Sequence, residues 1–166
     1  MCVGRVFLQN NHKNKITMKT YTSAMPEITL KYKTGNYKKT KISTSLDAFQ
    51  MLLELYDEDT VDYRETAFVL FLNKANNTIG WMKISEGGTT ATIIDPKMIF
   101  ATALKCNTIG IILSNNHPSG QLIASDEDRN ITSRMVSSGS ILGIEVLDHV
   151  IVCMSGYYST SDEGLL

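Results

Sequence analysis

Residues 108–128 read "TIGIILSNNHPSGQLIASDED", and the architecture turns on how this stretch divides. Its opening, "TIGIILS" (108–114), is a short, nearly continuous apolar run, the pattern of a strand buried on both faces. "HPSG" (117–120) is turn chemistry. Ser125, followed three residues later by Asp128, has the form of a helix N-cap with an acidic N3 residue, which predicts a helix from about Asp126 to Leu142. A strand therefore feeds a loop, and the loop feeds a helix. Open α/β sheets place their ligands at the carboxyl ends of such strands. An imidazole at His117 and a carboxylate at Asp128, eleven residues apart, can converge there across the turn and suit zinc or a similar divalent ion. The same residues also make a well-capped helix that needs no metal. Spacing leaves both readings open.

Working outward, Asp95 is an N-cap with Pro96 at the first helical position, so "PKMIFATALKC" (96–106) is a helix. "AFVLFLN" (67–73) is a second buried strand, and "KANN" turns it into "TIGWMKIS" (78–85). "EGG" turns the chain again into "TTATII" (89–94). Leu46, Phe49, Leu53 and Tyr56 recur at helical spacing behind a capping-box pair, Thr44 and Asp47. The acidic "YDEDTVDYRE" (56–65) is a solvated connection. "EITLKYKTGNYKKTKIS" (27–43) alternates around "TGN" as a β-hairpin, and "EVLDHVIV" (145–152) and "GYYST" (156–160) are the last strands. This predicts an α/β fold with a single mixed β-sheet flanked by helices. Residues 1–24 read as a poorly ordered N-terminal extension, within which Met18 is a second candidate start. Residues 25–166 read as one domain, with a basic hairpin and helix over 25–60 and a core over 61–166.

The chain has 166 residues, 43% of them apolar and 20% charged, with a formal net charge of −1. It is long enough to bury a core and too neutral for an overall field to draw it to nucleic acid or membranes. No apolar run approaches the roughly 18 residues of a membrane span. Three dispersed cysteines without a CxxC pair point to free thiols in a reducing compartment, so a cytoplasmic location is expected. The composition is compatible with a homo-oligomer and does not specify one.

The motif resembles a known one. "NNHPSG", seven residues from His117 to Ser125, and "SDED" resemble the JAMM metalloprotease signature, His-x-His, seven residues, Ser-x-x-Asp. "YRETAFVLFLNKANNTIG", "DPKMIFATALK", "GIILSNNHPSG", "LDHVIV" and "GYYSTSDEGLL" resemble the RadC branch of the JAB/MPN superfamily, over roughly Ala24 to Leu166. The resemblance implies the JAB/MPN architecture, which is cytidine-deaminase-like, and zinc-dependent hydrolysis of peptide or isopeptide bonds in a peptide or protein substrate. It implies that His117 and Asp128 are metal ligands. Glu65 would take a proton from metal-bound water, and Ser125 would steady the oxyanion. Judged without the resemblance, Glu65 reads as a surface carboxylate.

The sequence departs from this pattern at Asn115, which stands in the place of the first histidine ligand. A carboxamide oxygen is a poor zinc ligand beside an imidazole nitrogen. If structural zinc sites gain about 3–4 kcal/mol per ligand, losing one weakens binding about a hundredfold to a thousandfold. Metal binding and catalysis are therefore expected to be impaired or lost, with a metal-free peptide- or protein-binding module as the alternative. Ala124 replaces the proline usual before the serine, a milder change. His149 is a candidate replacement ligand, but adjacent strand residues point to opposite faces, so Asp148 and His149 cannot both face the site. A structural role for His149 is the expectation. "LKYKTGNYKKTK" carries five lysines and two tyrosines. A DNA-repair label attached to RadC proteins invites a nucleic-acid reading, but a lysine-rich hairpin more commonly protects a sheet edge. The paired-cysteine signature of zinc deaminases is absent.

Overall fold

The structure, a computed structural model, describes residues 5–9, 17–21, 38–87 and 94–166. The chain divides into two compact units, Met1–Lys31 and Tyr32–Leu166. In the first, β1 (Arg5–Gln9) pairs antiparallel with β2 (Thr17–Tyr21). The hairpin expected over 27–43 and the strand expected over 89–94 fall largely outside the described residues. Of the hairpin's described part, Lys41 makes an isolated antiparallel bridge to Asn77.

Among its described residues, the second unit holds one mixed five-stranded sheet. Its elements run α1 (Ser45–Leu53), β3 (Thr66–Leu72), β4 (Thr78–Glu86), α2 (Pro96–Lys105), β5 (Gly110–Asn116), α3 (Asp126–Leu142), β6 (Glu145–Cys153) and β7 (Gly156–Ser159). The strand order is β4-β3-β5-β6-β7, with β5 and β6 parallel and every other pair antiparallel. β3 and β5 lie centrally and every residue in them is buried, as their unbroken apolar runs required. The parallel pair is joined through α3, the usual form of such a crossover.

Two apolar layers sandwich the sheet. On one face α1 packs Ala48 and Leu52 against Phe68, Leu70, Ile112, Val150 and Val152. On the other, Ile99, Phe100 and Ala103 of α2 and Met135 of α3 pack against Val69, Phe71, Ile111 and Leu113. The sequence spacing put Leu46 and Leu53 on the apolar side of α1. The structure exposes both and buries Ala48 and Leu52, while Tyr56 is buried and Phe49 packs against the core as that spacing expects. The capping box at Thr44 and Asp47 forms as expected.

Two local devices aim side chains at the end of β5. Gly139 lets α3 approach the chain, since a Cβ there would lie 2.3 Å from the Ile144 carbonyl oxygen. In β6 one extra residue is accommodated between Val146 and Asp148, which pair with the consecutive residues Ile111 and Ile112. Such a bulge reverses the alternation of faces. Val146 and His149, three apart, consequently both serve the α3 side of the sheet.

Candidate functional site

Strand β5 continues two residues beyond its apolar run, so Asn115 and Asn116 are held as strand residues and buried, at 1% and 0% exposure. A carboxamide without water must find its partners in the protein, and the two find opposite ones. Asn116 turns toward the segment before β3. Its oxygen accepts from the Thr66 N–H at 2.7 Å, and its Nδ2 donates to the carbonyls of Val61 at 2.5 Å and Arg64 at 2.8 Å. That clamp sets the backbone on either side of Glu65, whose carbonyl also accepts from Gly87 N at 2.9 Å.

Asn115 turns toward α3, opposite the small, fully buried Ala67 of β3. Its Nδ2 donates to Asp128 Oδ1 at 3.1 Å and to Glu65 Oε1 at 3.3 Å. Its oxygen points the other way and accepts from His149 Nε2 at 2.8 Å. Behind it, His149 Nδ1 lies 2.7 Å from Thr132 Oγ1, which in turn lies 2.6 Å from the Asp128 carbonyl. His149 is fully buried, and burial pushes its imidazole below the ordinary value and favours the neutral ring. A neutral ring that donates from Nε2 accepts at Nδ1, so the Thr132 hydroxyl proton is shared between His149 and the carbonyl.

The loop brings the other two groups together. The His117 N–H donates to the Val152 carbonyl at 3.1 Å, the Gly120 N–H donates to the His117 carbonyl at 2.9 Å, and the buried Cys153 thiol packs beneath the turn. His117 Nδ1 donates to the Gln121 carbonyl at 3.0 Å, and Nε2 lies 3.1 Å from Asp128 Oδ2, to which it donates when the ring is protonated. The Asp128 carboxylate raises the pKa of His117. Burial would raise Asp128, but the hydrogen bonds from His117 and from the Ser125 side chain and backbone hold it at about 2. Ser125 closes the expected capping box, with its N–H 2.8 Å and its Oγ 2.6 Å from Asp128 Oδ2.

All five residues singled out by the sequence, Glu65, Asn115, His117, Ser125 and Asp128, thus meet at one end of the sheet. Asp148 and His149 point apart as expected. Asp148 accepts four hydrogen bonds, from His149 N, Ser159 Oγ, Thr160 Oγ1 and Ser161 N. His149 stands behind Asn115, with both nitrogens engaged. Asn116 and Thr132 were not recognised from sequence. The available signal was a polar "SNN" at the end of a buried apolar strand, where each amide must be answered.

His117 and Asp128 are of residue types that ligate metals, and here they face each other. Asn115 does not fit as a third, because it presents donor hydrogens to the two carboxylates and keeps its lone pairs on His149. Among the described residues no group of three or more His, Cys, Asp or Glu is arranged to hold a metal ion. Nor is any helix among them long and apolar enough to cross a membrane.

Comparison with known proteins agrees with this layout. The RadC-like JAB domain family matches residues 42–165. A UPF0758 protein of Flavobacterium johnsoniae is 39% identical over 128 residues, covering 77% of this chain and 55% of that protein. One from Symbiobacterium thermophilum is 44% identical over 102 residues, covering 61% and 44%. One from Aquifex aeolicus is 33% identical over 143 residues, covering 86% and 60%. The chain spans about half the length of the curated relatives it matches. With that match over most of its length, and its polar cluster where β5 hands over to α3, the chain belongs to the RadC-like JAB domain family.

Proposed function

We propose that this chain is a JAB domain that binds a peptide or protein segment at the β5–α3 cleft and has lost metal-dependent hydrolysis. One observation carries the reading: the Asn115 amide bridges Glu65 and Asp128. In a hydrolytic site of this family's pattern those carboxylates would act on a metal and its water. Here a neutral side chain supplies the positive hydrogens that a cation would otherwise supply, and the amide is oriented from behind by His149. Two carboxylates close together repel unless a cation or donors lie between them. The amide removes that repulsion and with it much of the drive to take up an ion.

The competing reading is a zinc peptidase with a weakened site. It draws on the convergence of His117, Asp128, Ser125 and Glu65. The two readings separate on metal content. Protein purified without chelator is assayed for zinc per chain, beside Asn115→His and His117→Ala. The proposal expects well under one zinc in the native chain and about one in Asn115→His. About one zinc in the native chain, lost in His117→Ala, would overturn it and make peptidase assays the next step. Binding of peptides selected from a display library should then survive chelator.

A further inference from the structure

A second concavity shares no residue with the cleft. Between the first turn of α2 and the middle of α3 lies an open groove of about 470 Å³, lined by Asp95, Lys97, Ser133, Arg134, Ser137 and Ser138 with Pro96. The α3 residues lie outside that helix's buried stripe of Asp128, Thr132, Met135 and Gly139.

The donors are side chains. Asp95 Oδ1 already accepts from the Lys97 N–H at 2.9 Å, so the helix cap is closed by the protein and its carboxylate is committed to it. Neither Lys97 nor Arg134 takes part in an ion pair among the described residues, whereas Arg129, on the preceding turns of α3, pairs with Asp126. Three serines in six residues are poor choices for a helix interior, yet all three residues line this groove. Together the walls supply a guanidinium fork, an ammonium and three hydroxyls against one carboxylate.

We propose that the groove binds a phosphate group carried by a small molecule. Arginine offers paired N–H donors in the geometry of two phosphate oxygens, lysine a mobile point charge, and serine hydroxyls complete the shell. A planar carboxylate would leave part of that donor set idle. The volume exceeds what phosphate alone needs and leaves room for an attached body.

The test follows amide chemical shifts of the full chain as inorganic phosphate, and separately AMP, is added at constant ionic strength. Saturable shifts at Lys97 and across residues 133–138 are expected with both probes, weakened at least tenfold in Arg134→Gln and severalfold in Lys97→Gln. Each variant should keep the native spectrum elsewhere. Equal affinity for the two probes assigns recognition to the phosphate alone, and tighter AMP binding adds the attached body; both support the proposal. Shifts that do not saturate, that sodium chloride reproduces, or that persist in both variants overturn it.

Discussion

Two buried carboxylates flank the β5–β6 pair, Asp148 level with Ile112 and Asp128 beside Asn115 at the carboxyl end of β5, and they are built differently. Asp148, 4% exposed, is answered by the backbone N–H groups of His149 and Ser161 and the hydroxyls of Ser159 and Thr160. It ties β6 to the turn that follows β7. Asp128, 6% exposed, takes one backbone N–H and otherwise the side chains of Asn115, His117 and Ser125. Backbone donors cannot be exchanged without moving the fold, while side-chain donors can change by substitution with the scaffold intact. The first carboxylate is a structural anchor. The second belongs to a site held mostly by side chains, Asn115 among them, whose chemistry can therefore change by substitution.

The largest effect is expected at the anchor. Asp148→Ala strands four donors, and with buried unpaired groups costing ~1–3 kcal/mol each and some rehydrating, a loss of about 3–4 kcal/mol is expected in urea unfolding. A loss below that of Asn115→Ala would reverse the ranking of the two regions.

Next comes Asn115→Asp, which swaps a double donor for a third acidic group beside Glu65 and Asp128. A loss of about 3 kcal/mol at neutral pH is expected from removed hydrogen bonds and like-charge repulsion. Stability relative to the native chain should recover on acidification toward pH 5 as the new carboxyl takes up a proton. A pH-independent deficit would mean that the amide's hydrogens do not hold the carboxylates together.

Asn116→Ala removes three hydrogen bonds to the segment before β3, costing about 2–3 kcal/mol. Hydrogen exchange should quicken at Gly87 and Thr66 while β6 stays protected. Equal loosening of β6 would show that Asn116 acts on the whole sheet and does not specifically set the backbone around Glu65.

The smallest effect concerns pH. His117 binds its proton more tightly when folded than its ordinary 6.5, so its contribution is complete below that value and fades as pH rises through the raised one. Asp128, held at about 2 against an ordinary 3.8, contributes above 3.8 and loses its contribution as pH falls through about 2. The pair is therefore strongest between those ordinary values. His149, lowered by burial, acts in the opposite sense to His117 and weakens the fold as pH drops below 6.5. Subtracting His117→Gln from the native chain isolates the pair: a difference of about 1 kcal/mol at pH 5.5 should shrink by pH 8.5. A difference that grows with pH would assign the titration to another group.

Much of this was legible before any coordinates. The unbroken apolar runs of β3 and β5 announced central strands, because both faces of such strands must be dry. Thr44 with Asp47, Asp95 with Pro96 and Ser125 with Asp128 announced three helix starts, because capping is settled within four residues of chain. The likeness of "NNHPSG" and "SDED" to a metal motif, and the missing histidine at Asn115, were equally plain, since residue identity needs no folding. Other features depended on contacts between distant segments. Ala48 and Leu52, rather than Leu46 and Leu53, face the core because the sheet chooses which stripe of α1 it meets. His149 reaches Asn115 because a bulge in β6 resets the alternation of faces. The direction of the Asn115 amide depends on partners at residues 65, 128 and 149. A strand residue states that it is polar, while its hydrogen-bond partners are chosen by whatever the fold brings within 3 Å or so of it.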